Sequence, residues 1–121
     1  MALVNRINKK AVMPKWDLIK FQIITYCYLN RIAVSDSELS FLTLLSLNEP
    51  VEITGFCFDV SEEESWIYKS QQSVRNAINK CEKKGLVIKN PNNKKDIMLN
   101  PQLQLGKEGN VLFELKFFAK D

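Results

Sequence analysis

Apolar residues recur along this chain at helical spacing first and at strand spacing last. Pro14 suits a first helical turn, where a missing N–H costs nothing. After it, Trp16, Ile19, Ile23, Ile24, Cys27 and Tyr28 fall mostly three or four residues apart. That spacing predicts an amphipathic helix from Lys15 to about Arg31, and Phe21 and Leu29 widen its stripe toward burial on more than one side. Ser35 and Glu38 have the spacing of a capping box. The Leu39, Phe41, Leu42, Leu44, Leu45 and Leu47 that follow are apolar nearly all round, which predicts a central core helix ended by Asn48 and Pro50.

Residues 51–60 carry two signals. Ile53, Phe56, Cys57 and Val60 fall at i, i+3, i+4 and i+7, while the Val, Ile, Thr and Phe content favours a strand; the short helix is preferred. Residues 61–70 read as a polar loop with an apolar plug at 66–68. The clearest element is 70–84. Ser70 is its N-cap, Val74, Ala77, Ile78 and Cys81 form one apolar face, and Gly85 stops it. Val74, Ile78 and Cys81 should be buried, with Arg75 and Asn79 exposed. A strand at 86–89, an Asn-rich turn and a strand at 97–99 make a hairpin. A second hairpin is expected from 103–105, across 106–109, to the alternating segment 111–118. Residues 1–13 are basic and weakly periodic, and read as a flexible or loosely docked arm.

Composition narrows the class. At 121 residues the chain is the size of a single domain, 14–121 with its arm, and 45% hydrophobic content can supply a core without a metal. No apolar run spans a membrane and none at the start has signal-peptide length, so the expected location is cytoplasmic. Cys27, Cys57 and Cys81 are widely spaced and lack zinc-like spacing, which fits buried thiols in a reducing compartment. The chain contains no histidine, so the commonest general base and zinc ligand are missing. No metal, no cofactor and no enzymatic activity are expected.

Charge is segregated. Residues 1–31 carry six Lys or Arg against one Asp, residues 32–68 carry eight acids and no base, and residues 69–95 carry eight bases against one acid. A net charge of +3 thus hides two basic blocks around an acidic one, a pattern that fits an oriented face for a polyanion. The acids Asp59, Glu62, Glu63 and Glu64 would repel such a ligand, so they should face away from it or toward a basic protein partner.

The order of helices, basic helix, glycine and hairpin, with the string SQQSVRNAINKCEKKGLVIKN and the later MLNPQL, resembles winged helix-turn-helix DNA-binding domains. Winged-helix replication initiators and transcription regulators of plasmids and phages are similar. The resemblance covers about residues 50–102 and rests on the helix-to-wing junction; the long acidic loop at 59–68 departs from it. It implies an α+β fold of three to four helices, a β-hairpin wing and a C-terminal strand, with helix 70–84 in the major groove. Independently, Gln and Asn amides suit adenine and Arg suits guanine. Gln71, Gln72, Arg75, Asn76 and Asn79 are therefore the candidate base contacts. Lys69, Ser70, Ser73, Lys83, Lys94 and Lys95 are the candidate phosphate contacts, Ser70 and Ser73 through the helix N-terminus. The bland alternative is a solvated polar face.

Trp16, Trp66, Phe113, Phe117 and Phe118 read better as core than as a base-stacking platform. A second function class is a protein-interaction or assembly module, for example a phage structural component. A homodimer on two half-sites is expected, since one recognition helix reads only a few base pairs. Its contact is helix 16–31 or, the better candidate, strand 111–118, where adjacent Phe117 and Phe118 point to opposite faces and leave one ring exposed unless a partner covers it. An edge strand can also pair with its own copy.

Overall fold

The structure, a computed structural model, describes residues 2–119. Met1 and Lys120–Asp121, the outer ends of the expected arm and domain, lie outside the described residues. The chain is α+β. The order is β1 (Leu3–Ala11), α1 (Lys15–Leu29), α2 (Asp36–Asn48), β2 (Val51–Glu52), α3 (Ile53–Glu62), α4 (Gln71–Lys83), β3 (Val87–Asn90), β4 (Asn93–Leu99), a 3-10 turn (Pro101–Leu103) and β5 (Val111–Phe118). The strands make two antiparallel sheets, β2-β4-β3 and the ribbon β1-β5.

One core holds the helices and the three-stranded sheet together. From α2, Phe41, Leu42 and Leu45 are fully buried, as an all-round apolar helix requires, and they share one buried cluster with Ile19 and Ile23 of α1, Val60 of α3, Val74 and Ile78 of α4, and Ile97 of β4. All three cysteines are buried and free. Burial pushes each thiol up, Cys81 to about 12 with Glu38 adding to the effect.

Caps fix the ends of the elements. The Ser35 hydroxyl accepts the Glu38 N–H (3.1 Å), and Glu38 Oε1 accepts the Ser35 N–H (3.0 Å), completing the capping box. The other carboxylate oxygen of Glu38 accepts from Lys84 Nζ at 2.8 Å and faces Cys81 Sγ at 3.8 Å. One buried acid thus ties the start of α2 to the end of α4. Ser70 caps α4 by accepting the Ser73 N–H, and Gly85, at φ 77°, ends that helix in the left-handed region.

Several expectations are corrected. Residues 3–11 are a strand, not a loose arm, and pair with β5 from Ala11–Val111 to Leu3–Phe118. The 103–105 segment does not form a hairpin with β5. Leu103 is buried in the 3-10 turn, Gln104 turns left-handed, and Gln22 of α1 clamps Gly106 with two hydrogen bonds of 2.6 and 2.8 Å. Lys107 is held by the Ser46 carbonyl (2.7 Å), so the connector is anchored to the helices and β5 finds its partner in β1.

Residues 51–60 hold both signals, a two-residue strand and then a helix, and that helix takes the first two residues of the expected loop. The apolar plug is Ile67 with half-buried Tyr68; Trp66 is 64% exposed and lies against Trp16 (6.0 Å). Ile24, Tyr28 and Leu29 are exposed, because α1 is covered along Leu18, Ile19, Ile23 and Cys27 only. Phe117 and Phe118 are likewise half exposed rather than core, since none of the described residues covers the far part of the ribbon.

Glu38 yields a stability prediction. Burial alone would raise its carboxyl, but the Lys84 ammonium and the Ser35 bonds outweigh that and hold it below the ordinary 4.5. A carboxylate lowered in the folded state stabilises above its unfolded value, and that contribution disappears as pH falls through the folded value. Glu38→Gln keeps the capping geometry but removes the charge, so it should cost about 2 kcal/mol at neutral pH. Urea unfolding at neutral pH and below 4.5 checks this: the gap between variant and wild type should close on acidification.

Candidate nucleic-acid interface

The face of α4 that meets solvent is set by the face that does not. Val74, Ala77, Ile78 and Cys81 are buried, and with about 100° between successive residues the opposite line runs through Gln72, Asn76, Asn79 and Lys83. All four are exposed. Gln72 donates from its amide to Asn76 Oδ1 at 3.0 Å, one helical turn on, which orders the two amides together. Gln71, at the start of the helix, is also exposed, on the flank shared with Arg75.

Arg75 departs from the expectation of full exposure. It is half-buried on the flank toward α3, where its guanidinium Nη2 donates to Thr54 Oγ1 at 3.3 Å. Glu52, the N-cap of α3, accepts the Gly55 N–H and is held below the ordinary carboxylate range by that bond foremost, with the nearby Arg75 charge contributing. The Arg is thereby positioned, and its charge is partly balanced. Thr54 and Glu52 were not legible as parts of this face. They stand 21 and 23 positions before Arg75, in the segment of mixed signals, and only packing of α3 on α4 brings them close.

The other flank carries Ser73 and exposed Lys80, which border a shallow cavity of about 310 Å³ with Asn76, Ser35 and Tyr68. Lys80 extends the cationic edge beyond the residues singled out from sequence. Ser70 and Ser73 share a hydroxyl–hydroxyl hydrogen bond of 2.8 Å while Ser70 caps the helix, which leaves one hydroxyl proton between them for a phosphate. Lys69 and Lys83 are exposed at the two ends of α4.

Lys94 and Lys95 are exposed on the hairpin that follows α4 directly. Asn side chains shape its tip: Asn90 Oδ1 accepts the Asn92 N–H and Asn93 Oδ1 accepts the Lys95 N–H, at 3.0 and 3.1 Å. Consecutive residues on a strand point to opposite sides, so Lys94 and Lys95 do not act as a single clamp.

The acids run along α3 from the edge of this face. Glu52, beside Arg75, lines with Asp59, Glu63 and Glu64 a groove of about 550 Å³, floored by Leu44, Phe56 and Val60. Among the described residues, no His, Cys, Asp or Glu group is arranged to hold a metal ion, and no helix is long and apolar enough to cross a membrane.

No protein-family model, no characterised protein and no solved structure matches the chain.

Proposed function

We propose that this chain is a winged helix-turn-helix protein that binds double-stranded DNA with sequence preference and without catalysis, in transcription control or replication initiation. Helix α4 is the element read into the major groove, and the β3–β4 hairpin is the wing. The observation that carries this reading is the outward face of α4: an ordered amide pair, a third amide and a lysine on one line, flanked by a positioned arginine. That face has the groups that bridge adenine and guanine edges.

The α+β topology is compatible with the same reading. The run α2, β2, α3, α4, β3, β4 has the order such a domain needs, and β2 pairs with β4, which pairs with β3. Lys69 before the helix, Lys80 on one flank and Lys94 and Lys95 on the hairpin add exposed phosphate-seeking charge to that of Lys83 on the face. Phosphate contacts fix register and salt dependence, and base contacts fix preference.

Binding to duplexes selected from a random pool separates these roles. Gln72→Ala and Arg75→Ala should each lose about 1–3 kcal/mol of preference for the selected sequence over mixed DNA. Lys94→Ala and Lys95→Ala should weaken both duplexes alike and, because the two side chains leave the strand on opposite sides, together flatten the salt dependence by about one ion. Thr54→Val, which frees the Arg75 guanidinium without removing it, should reduce preference and leave affinity for mixed DNA unchanged. Wild-type binding by the four Ala variants would place DNA on another surface or remove it as the partner.

A further inference from the structure

The β1–β5 ribbon stands with much of its apolar surface in water. Leu112, Leu115, Phe117 and Phe118 are 56, 47, 50 and 51% exposed. The ribbon meets the helices at its base, where Phe113 packs edge-on against Phe21 at 5.1 Å. Two strands alone are marginal in water; a third strand or a packed layer stabilises them.

The two open edges of the ribbon differ. β1 carries Arg6, Lys9 and Lys10, charges of the kind that blunt an edge against pairing. β5 carries one acid and one base, placed symmetrically about Leu115. Its backbone is already oriented. The Ala119 N–H donates to the Ala2 carbonyl at 2.8 Å, and strand amides alternate in direction. Odd-numbered residues of β5 therefore bond to β1, while Leu112, Glu114, Lys116 and Phe118 turn their N–H and C=O groups to the open edge.

We propose that this edge pairs antiparallel with β5 of a second copy, on a two-fold axis through Leu115, to give a four-stranded sheet in the order β1-β5-β5-β1. In that register Glu114 lies opposite Lys116 of the second copy, and Lys116 opposite its Glu114. Leu112 meets Phe118, Phe113 meets Phe117, and Leu115 meets its own copy. Backbone parity agrees, because the charged pairs and the Leu112–Phe118 pairs fall on residues whose amides already face outward. The adjacent hydrogen-bonded registers oppose Glu114 to Glu114 or Lys116 to Lys116, and like charges directly opposite are destabilising. The strand thus selects both its partner and its alignment. β1 has no such property: a two-fold at Ile7 sets Arg6 against Asn8 and Lys9 against Asn5, with no acid to meet either cation.

Sedimentation equilibrium of the full chain at tens of micromolar tests this. The wild type should run at twice its 14.0 kDa mass. Glu114→Lys and Lys116→Glu should each weaken self-association roughly tenfold or more, and an equal mixture of the two should recover the dimer, because every cross-strand pair is then opposite in sign. Lys116→Pro removes an outward N–H that bonds nothing in the monomer, so it should give a folded 14.0 kDa species by circular dichroism. Leu115→Cys should cross-link to itself on mild oxidation, while Phe113→Cys and Phe117→Cys should cross-link only when mixed. A monomeric wild type, charge variants that dimerise unchanged, or failure of Leu115→Cys to cross-link would overturn the proposal.

Discussion

Val74, Ile78 and Cys81 leave water together, and the rest of the molecule's exposed chemistry depends on that. Burying Val74 and Ile78 stabilises by about 1.5–3 kcal/mol each. An exposed side-chain pair such as Gln72–Asn76 contributes only about 0.2–0.5 kcal/mol. The core therefore decides how α4 is rotated, and the polar residues take the direction left to them. Glu38 fixes the same helix along its length by holding Lys84 at one end, while the Ser70 cap defines the other. The amide and lysine line is exposed because the apolar stripe of Val74, Ala77, Ile78 and Cys81 is not.

Elements whose signals are local were legible in the sequence. The capping box at Ser35 and Glu38, the Ser70 cap, the Gly85 stop and the all-round apolar run of α2 each follow from residues within a few positions of one another. The hairpin after Gly85 was legible for the same reason, since an Asn-rich turn joins its strands. The misreadings were tertiary. The 3–11 strand gave no pattern, because almost every side chain in it is exposed, and its partner lies about a hundred positions away. The 103–105 segment looked like the natural neighbour of β5, but the clamp of Gln22 on Gly106 commits the connector to α1.

The candidate interface divides along the same line. Helical periodicity located the outward face of α4 and its amides. It also made Arg75 a freely exposed residue, which it is not, because Thr54 and Glu52 are brought to it from α3. Segregated charge located the acids in one stretch but did not reveal that they line a groove with an apolar floor. Of the β5 aromatics read as core on periodicity, Phe113 does pack on Phe21, while Phe117 and Phe118 stay half exposed. Alternation identifies the faces of a strand but not whether anything covers them.

The central claim is that the outward face of α4 and the hairpin after it form the surface that meets DNA. Amide chemical-shift mapping during titration with a mixed-sequence duplex at low salt tests it most directly. The account predicts that the largest shifts fall at Lys69, Gln72, Arg75, Asn76, Asn79 and Lys83 and along Asn93–Leu99 near Lys94 and Lys95, with Asp59, Glu62 and Glu63 unmoved. Shifts confined to α3 or to the β1–β5 ribbon, or no shifts at any duplex concentration, would contradict it.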